Sequence, residues 1–297
     1  MPPNSDNTKF KSTIGIKHSL HGDTLEKDID KWFDYKKLVD GAEGLWRIHN
    51  RLYDFSDFLK NHPGGQFWLE VTKGTDITEA FELHHISTKP ENMLKKLYIR
   101  DAKSERSSPY TFNDNGFYRT LKREEAIQKK YRQVFDITNL LPLILPTAMH
   151  LFSEQSLCST LGMWLLIIII GSCLFCYFAF TDGHYHPDIF VDGDTPRSKE
   201  EMDWGISQLG TVCDRYEIEE NIFFILVFFG HHALHHLFPT FDIGVLEHLR
   251  PVIEKVIDKF NLRIRMIKQS RMFQAYLQQV TREKPNPNPP DSHKELD

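Results

Sequence analysis

Two histidines, the first of them followed by a Pro-Gly-Gly turn, are the residues of this sequence whose chemistry is easiest to specify. His62 opens the run His62-Pro63-Gly64-Gly65, and His85 follows it by 23 positions. A haem iron that only carries electrons has both axial positions filled, so it needs two imidazoles on opposite faces of the ring. Pro63 fixes the backbone at the turn, and the two glycines let the chain approach the porphyrin edge closely. We therefore predict that His62 and His85 are the axial ligands of a haem b.

Apolar residues and short elements around these histidines would build the pocket that holds the ring. Phe58 precedes the first histidine and Phe81 precedes the second, so both are predicted to line the pocket. Residues 45–48 and 52–54 are expected to form short strands around a turn. Ser56 stands where a helix N-cap belongs, because its hydroxyl can accept a hydrogen bond from a free backbone N–H. This arrangement predicts a small α+β domain.

A second group of histidines follows a short apolar run and could hold a metal other than haem iron. Residues three and four apart on a helix share one face, so these imidazoles can converge. Imidazole suits iron or zinc, and an unpaired imidazole is costly to bury, which favours a metal site over packing. A polar face exposed to water, and an ordinary turn around the two upstream histidines, are the alternatives. The candidate ligands are His231, His232, His235 and His236, together with His184 and His186 upstream.

One long uncharged stretch predicts a membrane anchor, although the mean hydropathy of the whole chain is −0.41. Residues 155–181 contain no Asp, Glu, Lys or Arg and exceed the roughly 20 apolar residues that cross a bilayer core. A shorter uncharged stretch, 137–153, is expected to pair with it as a helical hairpin. The first 27 residues lack the apolar segment of a signal peptide, and basic residues precede the hairpin. We therefore expect both termini on the cytosolic side.

Charge and cysteine usage narrow the possible partners. A net charge of −5 argues against a nucleic-acid-binding protein. The four cysteines do not predict a disulfide framework, because three lie in the uncharged stretch and Cys213 lies in the part expected to be cytosolic. Residues 23–102 hold fifteen acidic and twelve basic side chains, and two haem propionates would add more negative charge. An acidic rim of this kind is expected to attract a basic redox partner, such as a flavin-dependent reductase.

The segment 28–102 resembles the cytochrome b5 family. The matching segments are 45–48, 53–59, 62–65 and 74–81, which read LWRI, YDFSDFL, HPGG and GTDITEAF. The resemblance implies the α+β haem fold of that family, with His62 as one axial ligand. In many members the second ligand lies four or five residues after the phenylalanine that stands here as Phe81. His85 lies four residues after Phe81, and its spacing of 23 from His62 is usual in cytochrome b5 domains fused to desaturases. Its neighbour His84 is the other candidate.

The second group of histidines resembles the last histidine box of membrane fatty-acid desaturases. That box has a glutamine or histidine, two further residues, and then paired histidines followed by leucine, phenylalanine and proline. Asp203-Trp204 and Gln208-Leu209 stand upstream at about the spacing of the family. As a whole the chain looks most like the cytochrome b5-related family, which joins a cytochrome b5 domain to a desaturase-like domain. The matching residues of the box are His232, His235, His236, Leu237, Phe238 and Pro239.

The chain departs from the desaturase pattern upstream of this box. Desaturases hold two irons with eight or more histidines from three boxes, the first two being HxxxH and HxxHH. Between Asp101 and Gly230 this sequence has only His150, His184 and His186, and none of them forms either box. Three origins would account for this departure: a splice form, an incomplete gene model or a non-catalytic relative. A working di-iron centre within this one chain is therefore not expected.

These observations predict an α+β haem domain followed by a truncated, α-helical desaturase-like membrane domain. We expect electron transfer in lipid metabolism at the endoplasmic reticulum membrane, with a flavin-dependent cytochrome b5 reductase as donor and an acyl lipid as the other partner. The alternatives are an active front-end-type acyl desaturase or hydroxylase, and a non-catalytic protein that binds full-length relatives. The expected segments are a disordered 1–27, a haem domain 28–102, a charged linker 103–136, a desaturase-like domain 137–282 with its hairpin of 137–153 and 157–180 and its cytosolic part 182–282, and a disordered tail 283–297.

Overall fold

The computed structural model describes residues 12–15, 29–124, 127, 141–179 and 183–290. Most of the predicted disordered N-terminus and the first residues of the predicted hairpin lie outside these ranges. The haem domain is an α+β unit whose antiparallel sheet has the order β1-β2-β3, with Trp46 opposite Tyr53. Its elements are α1 (Ile29–Val39), β1 (Trp46–Ile48), β2 (Arg51–Tyr53), α2 (Gln66–Val71), α3 (Thr78–His84), α4 (Thr88–Leu97) and β3 (Tyr98–Asp101).

The core of the haem domain forms where the sheet meets α2 and α3. Trp46 is fully buried, and its indole N–H donates a hydrogen bond to the Leu69 carbonyl over 2.8 Å. This bond lets a large aromatic side chain be buried without an unsatisfied donor. Phe81 packs in the same core, at the foot of the predicted pocket. Ser56 does not begin a helix, because a turn precedes the 3-10 helix Leu59–Asn61.

The segment that follows β3 is folded over the part that the structure describes. Residues 103–116 run along the haem domain, and α5 (Phe117–Lys122) then enters the core of the C-terminal domain. Phe117, Tyr118 and Leu121 are fully buried there. The predicted charged linker is therefore a packed connection between the domains up to residue 124, because Phe112 and the apolar residues of α5 are buried in the core of the C-terminal domain.

Two helices lie where the sequence predicts a hairpin, and they contact each other. They are α6 (Leu141–Leu151) and α7 (Leu157–Ala179). Among the described residues, the segment Leu157–Phe175 of α7 is the one helix long and apolar enough to cross a membrane. At 1.5 Å per residue, the 11 residues of α6 reach about 16 Å, roughly half of a bilayer core. The large apolar side chains along α7 are exposed, as expected of a helix that contacts lipid.

The C-terminal domain packs short helices around the long α12. Its core includes Trp204, Leu234, Phe238 and Leu249, together with the aromatic face of α5. Two short strands, β4 and β5, pair in parallel and tie the start of α9 to the start of α13. The elements are α8 (Trp204–Leu209), β4 (Asp214–Arg215), α9 (Tyr216–Glu219), α10 (Ile222–Val227), α11 (His232–Leu237), α12 (Ile243–Lys259), β5 (Met266–Ile267) and α13 (Gln269–Val280).

The first part of the tail that was predicted to be disordered is held against this domain. Asn286 donates its backbone N–H to Asp194 over 2.8 Å and its side-chain amide to the Pro187 carbonyl over 2.6 Å. Arg282 forms an ion pair with the same aspartate over 2.6 Å. The proline-rich composition therefore gives an extended, docked segment up to residue 290. Asp194 is buried and needs these donors, which lie far away in the sequence.

Candidate functional site

The rings of His62 and His85 face each other across the predicted haem pocket. Their centroids lie 6.1 Å apart with an angle of 60° between the ring planes. His62 ends the 3-10 helix, and His85 directly follows α3, so two separate elements present the two imidazoles. A metal that binds one nitrogen of each imidazole at about 2 Å places two ring centres roughly 6 Å apart. The separation therefore fits one iron between the two rings.

Each histidine is oriented by a hydrogen bond from its other nitrogen. Nδ1 of His62 lies 2.9 Å from the Gly65 carbonyl, and Nδ1 of His85 lies 3.0 Å from the Phe81 carbonyl. Because a carbonyl oxygen only accepts, Nδ1 donates in both rings, so the lone pair of each neutral imidazole lies on Nε2. This is the arrangement expected of metal-binding imidazoles.

Aromatic side chains and glycines shape the space around the two imidazoles. The ring centroids of Phe58 and His62 lie 5.9 Å apart, and those of Phe81 and His85 lie 4.7 Å apart. Gly64 leaves room for His62, since a Cβ atom built on it would lie 2.9 Å from the Cε1 atom of that ring. Gly65 adopts a φ of 100°, which favours glycine. The residues present therefore fit a haem bound by two histidines.

The neighbouring histidines at the end of α3 differ in burial. His84 is exposed as the last residue of α3, whereas His85 is half-buried and faces His62. Burial, with smaller contributions from nearby positive charges, lowers the pKa of His85 to about 4. Its imidazole is therefore neutral at physiological pH, as a metal ligand must be.

Three of the six predicted non-haem ligands come together in the C-terminal domain. Among the described residues, His184, His232 and His236 place one ligand nitrogen each within 4.8 Å of one another. Their ring centroids lie 4.5 to 4.9 Å apart. We call this set the three-histidine cluster. His232 and His236 are one turn apart on α11, and His184 reaches them from the segment that follows α7.

Backbone and side-chain acceptors orient two rings of the three-histidine cluster. Nδ1 of His184 lies 3.3 Å from the Thr211 carbonyl, and Nδ1 of His236 lies 3.2 Å from the side-chain oxygen of Gln208. Nδ1 of His232 is buried and has no hydrogen-bond partner within the described ranges. Burial, reinforced by the neighbouring histidines, lowers the pKa of His236 to about 4 and that of His232 further. These converging imidazoles suit a single metal ion.

The other three predicted ligands lie apart from this cluster. His231 is buried between two carboxylates, because its Nδ1 lies 2.6 Å from Glu219 and its Nε2 contacts Glu247. These hydrogen bonds outweigh burial and raise the pKa of His231. His235 packs against Phe229, with a centroid distance of 5.1 Å. Nδ1 of His186 accepts a hydrogen bond from the Asp188 N–H over 3.1 Å.

The structure adds interactions in the C-terminal domain, most of which had no signal in the sequence. Thr211 supports the three-histidine cluster through its backbone carbonyl, which no side-chain pattern can indicate. Glu219 and Glu247 surround His231 from positions 12 and 16 residues away. Asp203 caps α8 and also accepts the Tyr118 N–H over 3.2 Å, which joins α8 to α5. Only the Asp203 cap had a signal in the sequence, because an aspartate directly before an apolar run is a common helix start.

Comparison with known proteins assigns two domains in agreement with this geometry. The family model "Cytochrome b5-like Heme/Steroid binding domain" matches residues 31–103, and the model "Fatty acid desaturase" matches residues 80–268. The chain is therefore matched by a haem-domain family over its first site and by the desaturase family over its second.

Three relatives are similar to parts or to nearly the whole of this chain. A "Cytochrome b5-related protein" of Drosophila melanogaster is 27% identical over 431 positions, which cover 96% of this chain and 98% of the relative. A "Cytochrome b5-related protein" of Drosophila virilis is 44% identical over 124 residues, covering 42% of this chain and 85% of the relative. A "Probable Delta(5) fatty acid desaturase C" of Dictyostelium discoideum is 32% identical over 111 residues, covering 37% of this chain and 24% of the relative.

The length of the first alignment bears on the missing histidine boxes. Its 431 positions far exceed the 297 residues of this chain, so the D. melanogaster protein has a long segment without a counterpart here. The cytochrome b5-like family model covers residues 31–103, which is nearly the whole of the haem domain. The chain belongs to the fatty acid desaturase family and carries a cytochrome b5-like domain in front of its desaturase domain.

Proposed function

We propose that this protein is a membrane-anchored carrier of single electrons that uses a haem b held by His62 and His85. The observation that carries the proposal is the facing pair of imidazoles, 6.1 Å apart, each with its Nδ1 bonded to a backbone carbonyl. A bound haem would supply a one-electron redox centre. Because His62 and His85 would both bind the iron of a haem held here, no position would remain for another ligand, which favours electron transfer over oxygen chemistry.

The chain's own residues would hold the haem and keep its two axial bonds in place. The two carbonyl hydrogen bonds fix the tautomer and orientation of each imidazole, so little rearrangement is needed when an electron arrives or leaves. Phe58 and Phe81 pack against the ligands and limit the access of water to the bonds. Phe67 and Trp68 are more than half exposed on α2, beside the His62 turn, and leave this side open to a partner. A flavin-dependent cytochrome b5 reductase is the donor that we propose.

Attachment to the endoplasmic reticulum membrane belongs to the same proposal. The exposed apolar surface of α7 and its length of 23 residues support a spanning helix. We propose that α6 and α7 enter and leave the membrane from the cytosolic side, so that both termini remain in the cytosol. This topology would keep the haem domain and the three-histidine cluster in one compartment, next to acyl lipids.

The spectrum of the haem tests the proposal directly. Purified in detergent, the full chain should bind one haem and show the absorption spectrum of six-coordinate, low-spin iron. His62→Ala should abolish that spectrum because it removes one axial ligand. His248→Ala, a matched change at an exposed histidine on α12, should leave it unchanged. A normal low-spin spectrum in the His62 variant would contradict the assignment.

A second, non-haem metal at the three-histidine cluster is the other function that a specific observation favours. Nδ1 of His232 is buried without a partner among the residues that the structure describes, which is costly unless something binds there. Three imidazoles within 4.8 Å can surround one ion but not two. We therefore propose a single iron or zinc ion at most, and an electron carrier rather than an active acyl desaturase or hydroxylase.

A further inference from the structure

We propose that Arg119 and Lys122, on α5, are positioning residues for the second haem ligand and adjust the reduction potential of the haem. Both lie outside the haem domain as the sequence delimits it, and both contact Glu82 on α3. The inference rests on the proposed haem function, because it concerns how the chain holds His85 against that group.

All three acidic residues along α3 and its start are paired with basic residues from the segment that follows the haem domain. Arg106 lies 2.7 Å from both Asp76 and Glu79. Lys122 lies 2.8 Å from the carboxylate of Glu82, and Arg119 also contacts this carboxylate. The sequence interpretation assigned acidic residues of this region to an external partner. The acidic residues of α3 instead form ion pairs with basic residues of the same chain.

The contact at Glu82 is buried, so water screens the charges there less than it would at the surface. The exposed fraction is 0% for the Glu82 residue and 3% for Lys122. His49 adds a third contact to Glu82, with its Nε2 atom 2.7 Å from the carboxylate. Burial alone would raise the pKa of Glu82, but the bond to His49 and the charges of Lys122 and Arg119 lower it well below its usual range. Removing one partner of a buried ion pair leaves the other charge uncompensated, which is strongly unfavourable.

Lys122 also holds the backbone at the end of α3. Its ammonium group donates to the Glu82 carbonyl over 3.0 Å, in the last turn of the helix that leads into His85. His85 is bonded to the same turn, because its backbone N–H donates to the Phe81 carbonyl over 3.1 Å. A displacement at Glu82 is therefore passed to the imidazole through one turn of helix. The positive charge of Lys122 also acts on His85 directly.

Aromatic residues of α5 anchor this contact in the C-terminal domain. The Tyr118 ring lies 4.6 Å from the Trp204 ring, and the Phe117 ring lies 5.7 Å from the Phe260 ring. Arg119 and Lys122 lie three residues apart on this helix, so both reach Glu82 from one side of it. Because one short helix contacts both domains, the position of α3 depends on the C-terminal domain.

Two substitutions should shift the potential in opposite directions. Reduction of the haem adds a negative charge, so loss of the Lys122 cation should disfavour the reduced state and loss of the Glu82 anion should favour it. We expect Lys122→Met to lower the midpoint potential and Glu82→Gln to raise it. Each shift should be on the order of a tenfold change in the reduction equilibrium constant, or about 59 mV. Lys122→Arg should keep the wild-type value because it retains the charge.

The experiment uses the full chain in detergent, with spectroelectrochemical titration and low-temperature electron paramagnetic resonance of the ferric haem. Lys95→Met, at an exposed lysine of α4, is the matched control and should change neither readout. The double variant Glu82→Gln with Lys122→Met should return towards the wild-type potential, because it removes a neutral pair. A Lys122→Met chain that does not fold leaves the sign of the Glu82→Gln shift as the test.

The outcomes separate this inference from the function on which it rests. A wild-type chain without a low-spin haem spectrum would overturn the proposed function itself. A wild-type chain with normal haem, in which Glu82→Gln and Lys122→Met both match the Lys95 control, would overturn only the role of α5. Shifts of the same sign in both variants would also overturn it, because they would show general loosening of the pocket rather than the effect of charge.

Discussion

Replacing Gly64 by alanine should weaken haem binding without weakening the fold. A Cβ atom at this position would lie 2.9 Å from Cε1 of His62 and 3.5 Å from both ring nitrogens. The φ of Gly64 is not in the left-handed region, so an alanine can adopt this backbone conformation. The change therefore acts on the imidazole and not on the turn. In the haem-free protein the ring can rotate away, but a ring bound to iron cannot.

The magnitude follows from the contact and from the hydrogen bond that a displaced ring would lose. Carbon atoms pack best at about 3.5–4.0 Å, so the ring must move by more than half an ångström to accept the new methyl group. That movement strains the 2.9 Å bond from Nδ1 to the Gly65 carbonyl, and such a bond is worth about 1 kcal/mol. Overpacking of a fixed group costs about 1–3 kcal/mol. Haem should therefore bind roughly 5- to 150-fold more weakly.

A titration of the haem-free chain with haem, followed by absorbance, measures this ratio. Gly162→Ala is the matched control, because a Cβ atom there meets nothing within 4 Å. Thermal unfolding of the haem-free chain should be the same for wild type and Gly64→Ala. Unchanged haem affinity in the Gly64 variant would refute the proposed position of His62. An equal loss of stability in the haem-free chain would show that the methyl group disturbs the fold instead.

Four further outcomes follow from the two sites. His85→Ala should disturb the low-spin spectrum far more than His84→Ala, because only His85 faces the other ligand, and equal effects would contradict this. His232→Ala should remove non-haem metal measured by elemental analysis, whereas His248→Ala should not. Wild type should lose thermal stability as the pH falls below 4.5, because the folded state lowers the pKa of Glu82 from that value, and Glu82→Gln should show a smaller loss over the same pH range. Expressed without a full-length relative, the chain should yield no new double bond in cellular lipids, and a product that vanishes in His232→Ala would refute this.

The haem site could be predicted largely from the sequence because its residues are local. The turn of His62 and the end of α3 are each formed by consecutive residues with strong conformational preferences. The four segments quoted above all match the cytochrome b5 family, and this resemblance implies that the two imidazoles face each other. Ser56 shows the limit of this reasoning, since the side chain of Asp54 accepts its N–H over 2.9 Å and forms a turn in place of a helix start.

The three-histidine cluster could be predicted only in part, because the reasoning depended on where a helix begins. His232 and His236 share a face as expected for residues four apart. His231 lies outside that helix with a φ of 54°, so the helical spacing does not apply to it. Its two carboxylate partners come from other helices and leave no pattern near it in the sequence. The contribution of His184 rather than His186 likewise depends on how the turn after α7 meets α11.

The role of α5 could not be predicted from the sequence, because its basic residues were already explained as the flank of a membrane hairpin. Arg119 and Lys122 are typical of such a flank, and sequence alone gives them no reason to be buried. Their burial follows from a partner that lies 40 residues earlier for Lys122, on another domain. Pairings over this distance in the sequence depend on the packing of the whole chain.

The pairing of α3 with the following segment changes how the haem domain should be dissected. A fragment cut near residue 105 keeps both imidazoles and the sheet, yet it loses Arg106, Arg119 and Lys122 together. It would expose Asp76, Glu79 and Glu82 to solvent as a new anionic surface. Binding and redox measurements on such a truncated protein would describe an electrostatic environment that the intact chain does not have. Expression boundaries should therefore follow the ion pairs and extend at least through residue 124.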